Sequence, residues 1–283
     1  MPVRIPTRPP DHRLLACPCC QSPLTEDLTQ CLGGGHGFPR TGDGPLTLWP
    51  DDRAAPVEDG WAVRQQLMER EYQDFVEDPG HVVRAYEHDF GGFREWLSTC
   101  QGELLDVGGG NGLLRHYLPA GARYTVLDPS LTWLGEDWGA LSGTFPCLAE
   151  PLPFVRGFAE ALPFRRHVFE WVLSFWSLNH VLAPERALEE MHRVLRPGGR
   201  ALVVLDDMRP DLLAVWQRRY QDHRWTRGET LWRLAMSPMV GWPLKPDHVR
   251  VDEDTLERVS IGRFRLTRRE WKGSYLALEL ESI

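Results

Sequence analysis

Leu104-Leu105-Asp106-Val107-Gly108-Gly109-Gly110-Asn111-Gly112 is the stretch on which the reading of this chain turns. An apolar run ends in an acid, then a glycine cluster, and then a second apolar-periodic run, Leu113 to Leu118. That order predicts strand, tight turn, helix. Glycines there let the backbone come close to a ligand and take dihedrals that a side chain forbids. A helix start leaves N–H groups without partners facing that ligand. Tyr124-Thr125-Val126-Leu127-Asp128 follows as a second strand ending in a carboxylate. It lies about 20 residues on, where open α/β folds place a ribose-binding acid.

The glycine spacing discriminates between ligands. Dinucleotide folds use G-x-G-x-x-G to seat a pyrophosphate. Gly108, Gly110 and Gly112 instead give G-x-G-x-G, with Leu113 at the third dinucleotide position, so a ligand without a pyrophosphate fits better. The pattern resembles the first motif of the class I S-adenosylmethionine (SAM)-dependent methyltransferases, an acid followed by G-x-G-x-G. The resemblance continues in Gly157-Phe158-Ala159-Glu160-Ala161-Leu162-Pro163-Phe164, similar to the family's G-D-A-E-x-L-P-F segment. It continues again in Trp171 to Val181, similar to the fourth strand and its exit loop, and in Arg193 to Val204, similar to a helix end, turn and fifth strand. Ubiquinone/menaquinone-biosynthesis C-methyltransferases are the most similar type by pattern.

The resemblance implies a Rossmann-like seven-stranded α/β sheet with helices on both faces. It implies cofactor contacts from Asp106, Gly108, Gly109, Gly110, Asn111, Gly112, Asp128, Pro129, Phe158, Ala159, Glu160 and Phe175. Asp128 is expected to accept hydrogen bonds from the ribose hydroxyls, a charge-assisted contact. Position 158 departs from the pattern: relatives often carry an Asp there that accepts the adenine amino proton, whereas this chain has Phe158. The base would then rest on the backbone near Ala159 and on the Phe158 ring.

A second cluster lies near the N-terminus. Cys17 and Cys20 form a C-x-x-C knuckle, and Cys31 and His36 supply a second pair. Three thiolates and an imidazole suit tetrahedral zinc in a closed, structural shell. The alternatives are a ribbon that has kept its shape without metal, and Cys19 competing as a ligand. The surrounding segment is turn-rich and poor in core residues, the kind that usually needs a staple. It resembles the zinc ribbons of bacterial 23S rRNA guanine-N1 methyltransferases and of a small activator subunit of tRNA, rRNA and protein methyltransferases. The C-x4-H spacing is one residue longer than usual in the former.

With 283 residues, 42% apolar and 25% charged, the chain matches ordinary globular proteins. Without an apolar run of membrane length or a signal-like start, it is expected in the cytoplasm and not at a membrane. The net charge of −8 argues against broad electrostatic contact with nucleic acid. Five stretches are expected: a zinc-ribbon-like domain over 1–50, a linker and N-terminal lid helices over 51–100, and a SAM-binding core over 101–206. A substrate-covering insert over 207–250 follows, then a last helix and closing β-hairpin over 251–283. Within the second stretch, helices are expected over 61–75 and 81–96, and Tyr72, Tyr86 and Phe90 are read either as lid aromatics or as core residues.

Asn179 and His180 follow the fourth strand of the core, at the edge where ligands bind in open α/β folds. They are the catalytic candidates. His180 is read either as a general base with a pKa near working pH or as a local loop former. Two function classes follow. One is a methyltransferase acting on a small molecule. The other is an RNA base methyltransferase, with the ribbon and Arg218, Arg219, Arg224 and Arg227 gripping the nucleic acid. A third reading, a methyltransferase fold serving only as a binding module, rests on Phe158. Oligomeric state is left open.

Overall fold

The computed structural model describes residues 4–38, 44–49, 79–206, 251, 253–272 and 275–283. The expected helix over 61–75 and the insert over 207–250 lie outside these residues, as do Tyr72 and the four insert arginines.

Seven strands build the sheet expected from the sequence: β3 (Glu103–Val107), β4 (Arg123–Leu127), β5 (Leu152–Arg156), β6 (Phe169–Phe175), β7 (Leu195–Leu205), β8 (Phe264–Lys272) and β9 (Tyr275–Ser282). Their spatial order is β5-β4-β3-β6-β7-β9-β8. All neighbours from β5 to β7 run parallel, and β9 is inserted antiparallel between β7 and β8. Chain order reverses between β3 and β6. The carboxyl ends of those two strands therefore border the crevice where open α/β sheets bind ligands.

Two further strands of two residues each, β1 (Thr7–Arg8) and β2 (Leu46–Thr47), extend the sheet beyond β5. β1 pairs with the start of β5 and β2 with its end. The Cys/His segment lies in sequence between them.

The parallel strands are apolar on both faces because both are covered. Alternation within one strand sorts the side chains: Leu105, Val107 and Leu127 join one buried cluster, while Leu104, Val126 and Phe154 join the other. Helices α4 (Pro184–Val194) and α5 (Glu253–Ser260) cover the first face. They do so together with Leu15, Cys17, Leu28, Cys31, Phe38, Leu46 and Leu48 from the N-terminal segment. On the second face lie α1 (Pro79–Asp89) and α2 (Arg94–Leu97), with Val82, Phe93, Trp96 and Leu97 buried there. A short helix α3 (Glu136–Gly139) follows β4, and its buried Trp138 joins the same cluster.

Two expectations are corrected. The helix expected after the glycine turn is a single 3-10 stretch, Leu113–Tyr117. Pro119 drives the preceding Leu118 into extended backbone (φ −80°, ψ 152°), so the run stops before an α-helix can propagate. The expected helix over 81–96 is interrupted by a 3-10 turn at Gly91–Phe93, where Gly91-Gly92 lowers helix propensity.

Candidate functional site

The glycine turn leaves β3 with Gly108, Gly110 and Gly112 all at positive φ (73°, 53° and 71°). Space as well as dihedral demands glycine. A Cβ on Gly108 would lie 2.3 Å from the Ser177 side chain, and one on Gly109 would lie 2.6 Å from the Asp106 carboxylate. The turn is thus clamped between the end of β3 and the exit of β6. Ser177 holds it there by donating from Oγ to the Val107 carbonyl at 2.6 Å, with the Ser174 hydroxyl 2.6 Å behind. On its outer side the Trp133 ring lies 3.3 Å from where a Gly110 Cβ would be.

Asp106 and Asp128 are both buried. Asp128 takes the Gly110 N–H at 3.0 Å on one oxygen and the Ser130 N–H at 2.8 Å on the other. Those bonds fix the carboxylate against the turn. Asp106 accepts the Tyr124 hydroxyl from the neighbouring strand. Burial pushes its carboxyl up to about 7; the Tyr124 hydrogen bond pulls the other way and the nearby Asp128 charge adds to the rise. Asn111 accepts the Leu113 N–H at 3.0 Å. Its buried amide nitrogen has no partner among the described residues, and such a donor awaits an acceptor.

The exit of β5 borders the same crevice. Gly157 donates to the Asp128 carbonyl at 3.4 Å, which sets Phe158 and Ala159 beside Asp128-Pro129. Phe158 is buried, and the Trp49 ring lies 4.9 Å from it. Glu160, expected among the cofactor contacts, is turned elsewhere. Its Oε1 accepts the N–H groups of Leu182 (2.9 Å) and Ala183 (3.3 Å), just ahead of α4. Carboxylates are favoured at that helix end.

At the exit of β6, Trp176 takes φ +54°, unusual for a bulky residue. Phe175, expected to touch the cofactor, is buried in an aromatic cluster with Phe90, Phe93 and Trp176, ring centroids 5.2–5.8 Å away. Tyr86 stacks on Phe90 at 5.4 Å, so two of the residues expected as lid or core aromatics join this cluster, packed against the core. Asn179, a catalytic candidate, is buried with its amide engaged. It donates to the Asp206 carbonyl at 3.1 Å and accepts the Asp206 N–H at 3.3 Å. That reciprocal pair ties the β6 exit to the end of β7. His180 is partly exposed on the same loop, its N–H bonded to the Ser177 carbonyl at 2.9 Å.

The four ligand atoms of Cys17, Cys20, Cys31 and His36 converge within 4.8 Å of one another. Cys17 Sγ lies 3.4 Å from His36 Nδ1, and Cys20 Sγ lies 3.3 Å from Cys31 Sγ. Burial raises the Cys31 thiol, but the Gly34 and Gly33 N–H groups and the neighbouring thiols bring it down to about 7. Metal ligation requires the thiolate. Cys19 stands outside this group of four and packs against the core.

Sequence reasoning missed Tyr124, Ser177, Trp133 and Trp49. A phenol one strand away on the same face as Asp106 was the available signal for Tyr124. The other three are brought in by tertiary contacts that no local pattern announces.

The sheet order, the glycine turn at its switch point and the paired acids define a class I methyltransferase fold. Comparison with known proteins agrees. Residues 105–203 match the family model described as "Methyltransferase domain". The chain is 38% identical over 114 residues to the ubiquinone/menaquinone biosynthesis C-methyltransferase UbiE of Roseobacter denitrificans, covering 39% of this chain and 45% of that protein. It is 49% identical over 107 residues to the UbiE of Hahella chejuensis, covering 36% and 41%. The chain thus spans less than half the length of these relatives. Among solved structures, the 1,6-didemethyltoxoflavin-N1-methyltransferase of Burkholderia thailandensis, with bound 1,6-didemethyltoxoflavin and S-adenosylhomocysteine, superposes with TM-score 0.51. It shares 18% identity, over 85% of this chain and 92% of that one.

Proposed function

We propose that this chain is a SAM-dependent methyltransferase acting on a small-molecule acceptor. One observation carries the proposal. At the joined ends of β3 and β4, a turn with no room for a Cβ at Gly108, Gly109 or Gly112 is hydrogen-bonded to a buried carboxylate, Asp128. The residues present fit SAM. Asp128 accepts from ribose hydroxyls, Asp106 and the Gly108–Gly112 backbone face the amino-acid part, and Asn111 offers a buried donor without a partner. Pro129, Phe158 and Ala159 border the base. SAM supplies a methyl group on a sulfonium, a good leaving group. The protein's part is alignment and exclusion of water, which contribute roughly 7–11 kcal/mol in favourable cases.

His180 is the residue we assign as general base for an acceptor hydroxyl, amine or acidic carbon, with Asn179 holding its loop. The aromatic cluster of Tyr86, Phe90, Phe175 and Trp176 at the β6 exit supports a flat, apolar acceptor, since apolar surroundings desolvate what they bind. The net charge of −8 opposes RNA as the acceptor. No helix among the described residues is long and apolar enough to cross a membrane. We further assign structural zinc to Cys17, Cys20, Cys31 and His36.

The test is incubation of the purified protein with methyl-labelled SAM and separate small-molecule and RNA fractions. Label in the small-molecule fraction supports the reading. Label in RNA alone, or no SAM binding, overturns it.

A further inference from the structure

Among the described residues, Trp49 brings the N-terminal segment against Phe158 at the candidate cofactor site. After β2, whose Thr47 is paired in register with Arg156, Leu48 donates to the Arg156 carbonyl at 3.0 Å. That pairing carries Trp49 alongside Phe158, with ring centroids 4.9 Å apart and planes inclined by 37°. Arg156 braces the pair. Its guanidinium lies 4.3 Å over the Trp49 ring, and its Nε donates to the Pro129 carbonyl at 2.9 Å. The aromatic pair is therefore tied to the residue that follows Asp128.

A nucleoside whose ribose is held by Asp128 must place its base within one sugar's length of that carboxylate. Gly157, the residue before Phe158, donates to the Asp128 backbone carbonyl at 3.4 Å, which sets Phe158 beside the strand end that carries that carboxylate. Position 158 holds a ring rather than a hydrogen-bonding acid. A flat heterocycle is then recognised by its face, not its edge. Base–aromatic stacking serves this purpose with little regard to the hydrogen-bonding pattern of the base.

Resting on the proposed function above, we infer that Trp49 and Phe158 form an aromatic wall for the purine base of the cofactor. A residue of the appended N-terminal segment thereby becomes a specificity-determining part of the cofactor site.

The experiment is calorimetric titration of the full chain with S-adenosylhomocysteine and with 5′-methylthioadenosine, which has the base and ribose but no amino acid. Wild type, Trp49→Leu, Trp49→Ala and Trp49→Phe are compared. Trp49→Leu keeps an apolar side chain against Phe158 and so keeps the test open should Trp49→Ala fold poorly. Loss of stacking should weaken both ligands by the same factor, about ten-fold, with Trp49→Phe close to wild type. Trp49→Leu binding both ligands as wild type does would overturn the proposal. So would a loss confined to S-adenosylhomocysteine, since the base is common to both. Wild type binding neither ligand would instead overturn the methyltransferase reading itself, and this inference with it.

Discussion

Asp106 is the residue with most at stake in a change of pH. Its carboxyl ordinarily titrates near 3.8 and is raised by burial to about 7, so the folded protein keeps a proton that the unfolded chain gives up. The stabilisation this provides is complete below pH 3.8 and is lost as pH rises through about 7. Unfolding free energy from denaturant titrations should therefore decline across that window, and Asp106→Asn should flatten the decline. An unchanged slope in the variant would place the proton elsewhere. The cationic groups of SAM favour the carboxylate, so binding near pH 7 should release a proton; calorimetry in buffers of different ionisation enthalpy measures it. Asp128→Ala should weaken SAM by about 1.5–3 kcal/mol, the range for hydrogen bonds to charged groups, whereas unaltered affinity would remove Asp128 from the ribose site. Both acids were legible in the sequence, since each ends an apolar run at a fixed distance from glycines. The directions of Glu160 and Asn179 were not. A motif gives a residue's place in the chain, but the hydrogen bonds of a side chain follow from backbone groups that the fold brings near: Leu182 and Ala183 for one, Asp206 for the other.

Among the elements, α4 shows how one helix secures the loop that borders the candidate base site. Its amphipathic period buries Ala187, Leu188, Met191 and Val194 against the sheet. On the same helix Glu190 and Arg193 are buried as an ion pair at 2.7 Å. Neither charge is left unsatisfied. Glu190 also accepts the Leu162 N–H at 2.9 Å, and Arg193 donates to the carbonyls of Phe164 (2.8 Å) and Leu162 (2.9 Å). The pair thus pins the loop after β5 from one side. Removing one partner strands the other charge in the interior. Glu190→Ala should cost about 3–5 kcal/mol in chemical denaturation. A cost below about 1 kcal/mol, typical of an exposed pair, would show that the Arg193 carbonyl bonds suffice alone. β3, β4, the closing hairpin and α5 were readable from period and punctuation, whereas β5, β6, β7 and the end of α4 were readable through the family resemblance. The 3-10 run after Gly112 was not, because the apolar spacing of Leu113 to Leu118 suits either helix and the outcome is set by Pro119 and a short connection.

On the scale of the whole molecule, the N-terminal segment is built into the sheet's own core. Leu15 bridges to Phe164, Ala16 donates to the Pro163 carbonyl at 3.0 Å, and Arg165 donates to Leu14 at 2.8 Å. Cys17 and Cys31 are themselves buried in the cluster that contains Leu127 and Val155. The loop after β5 is thereby gripped on one side by α4 and on the other by the N-terminal segment, with Trp49 beside it. The cysteine spacing made a Cys/His cluster legible. That the segment carrying it packs against the loop after β5 was not legible, because it depends on two-residue strands, β1 and β2, too short to leave a periodic signal. Protein purified without chelator should carry about one zinc per chain, as a closed four-ligand shell requires, and Cys20→Ser should lose it. Since two of the four candidate ligands, Cys17 and Cys31, lie in the shared core, metal removal should do more than loosen the N-terminal segment. It should lower the melting temperature of the entire chain and weaken S-adenosylhomocysteine binding in the same direction as Trp49→Leu. Scanning calorimetry with and without chelator, followed by ligand titration of the metal-free protein, measures both. Metal-free protein that melts and binds as the loaded protein does would mean that the ribbon holds its shape through the core contacts of Leu15, Leu28 and Phe38 alone, and that Trp49 is positioned without the metal.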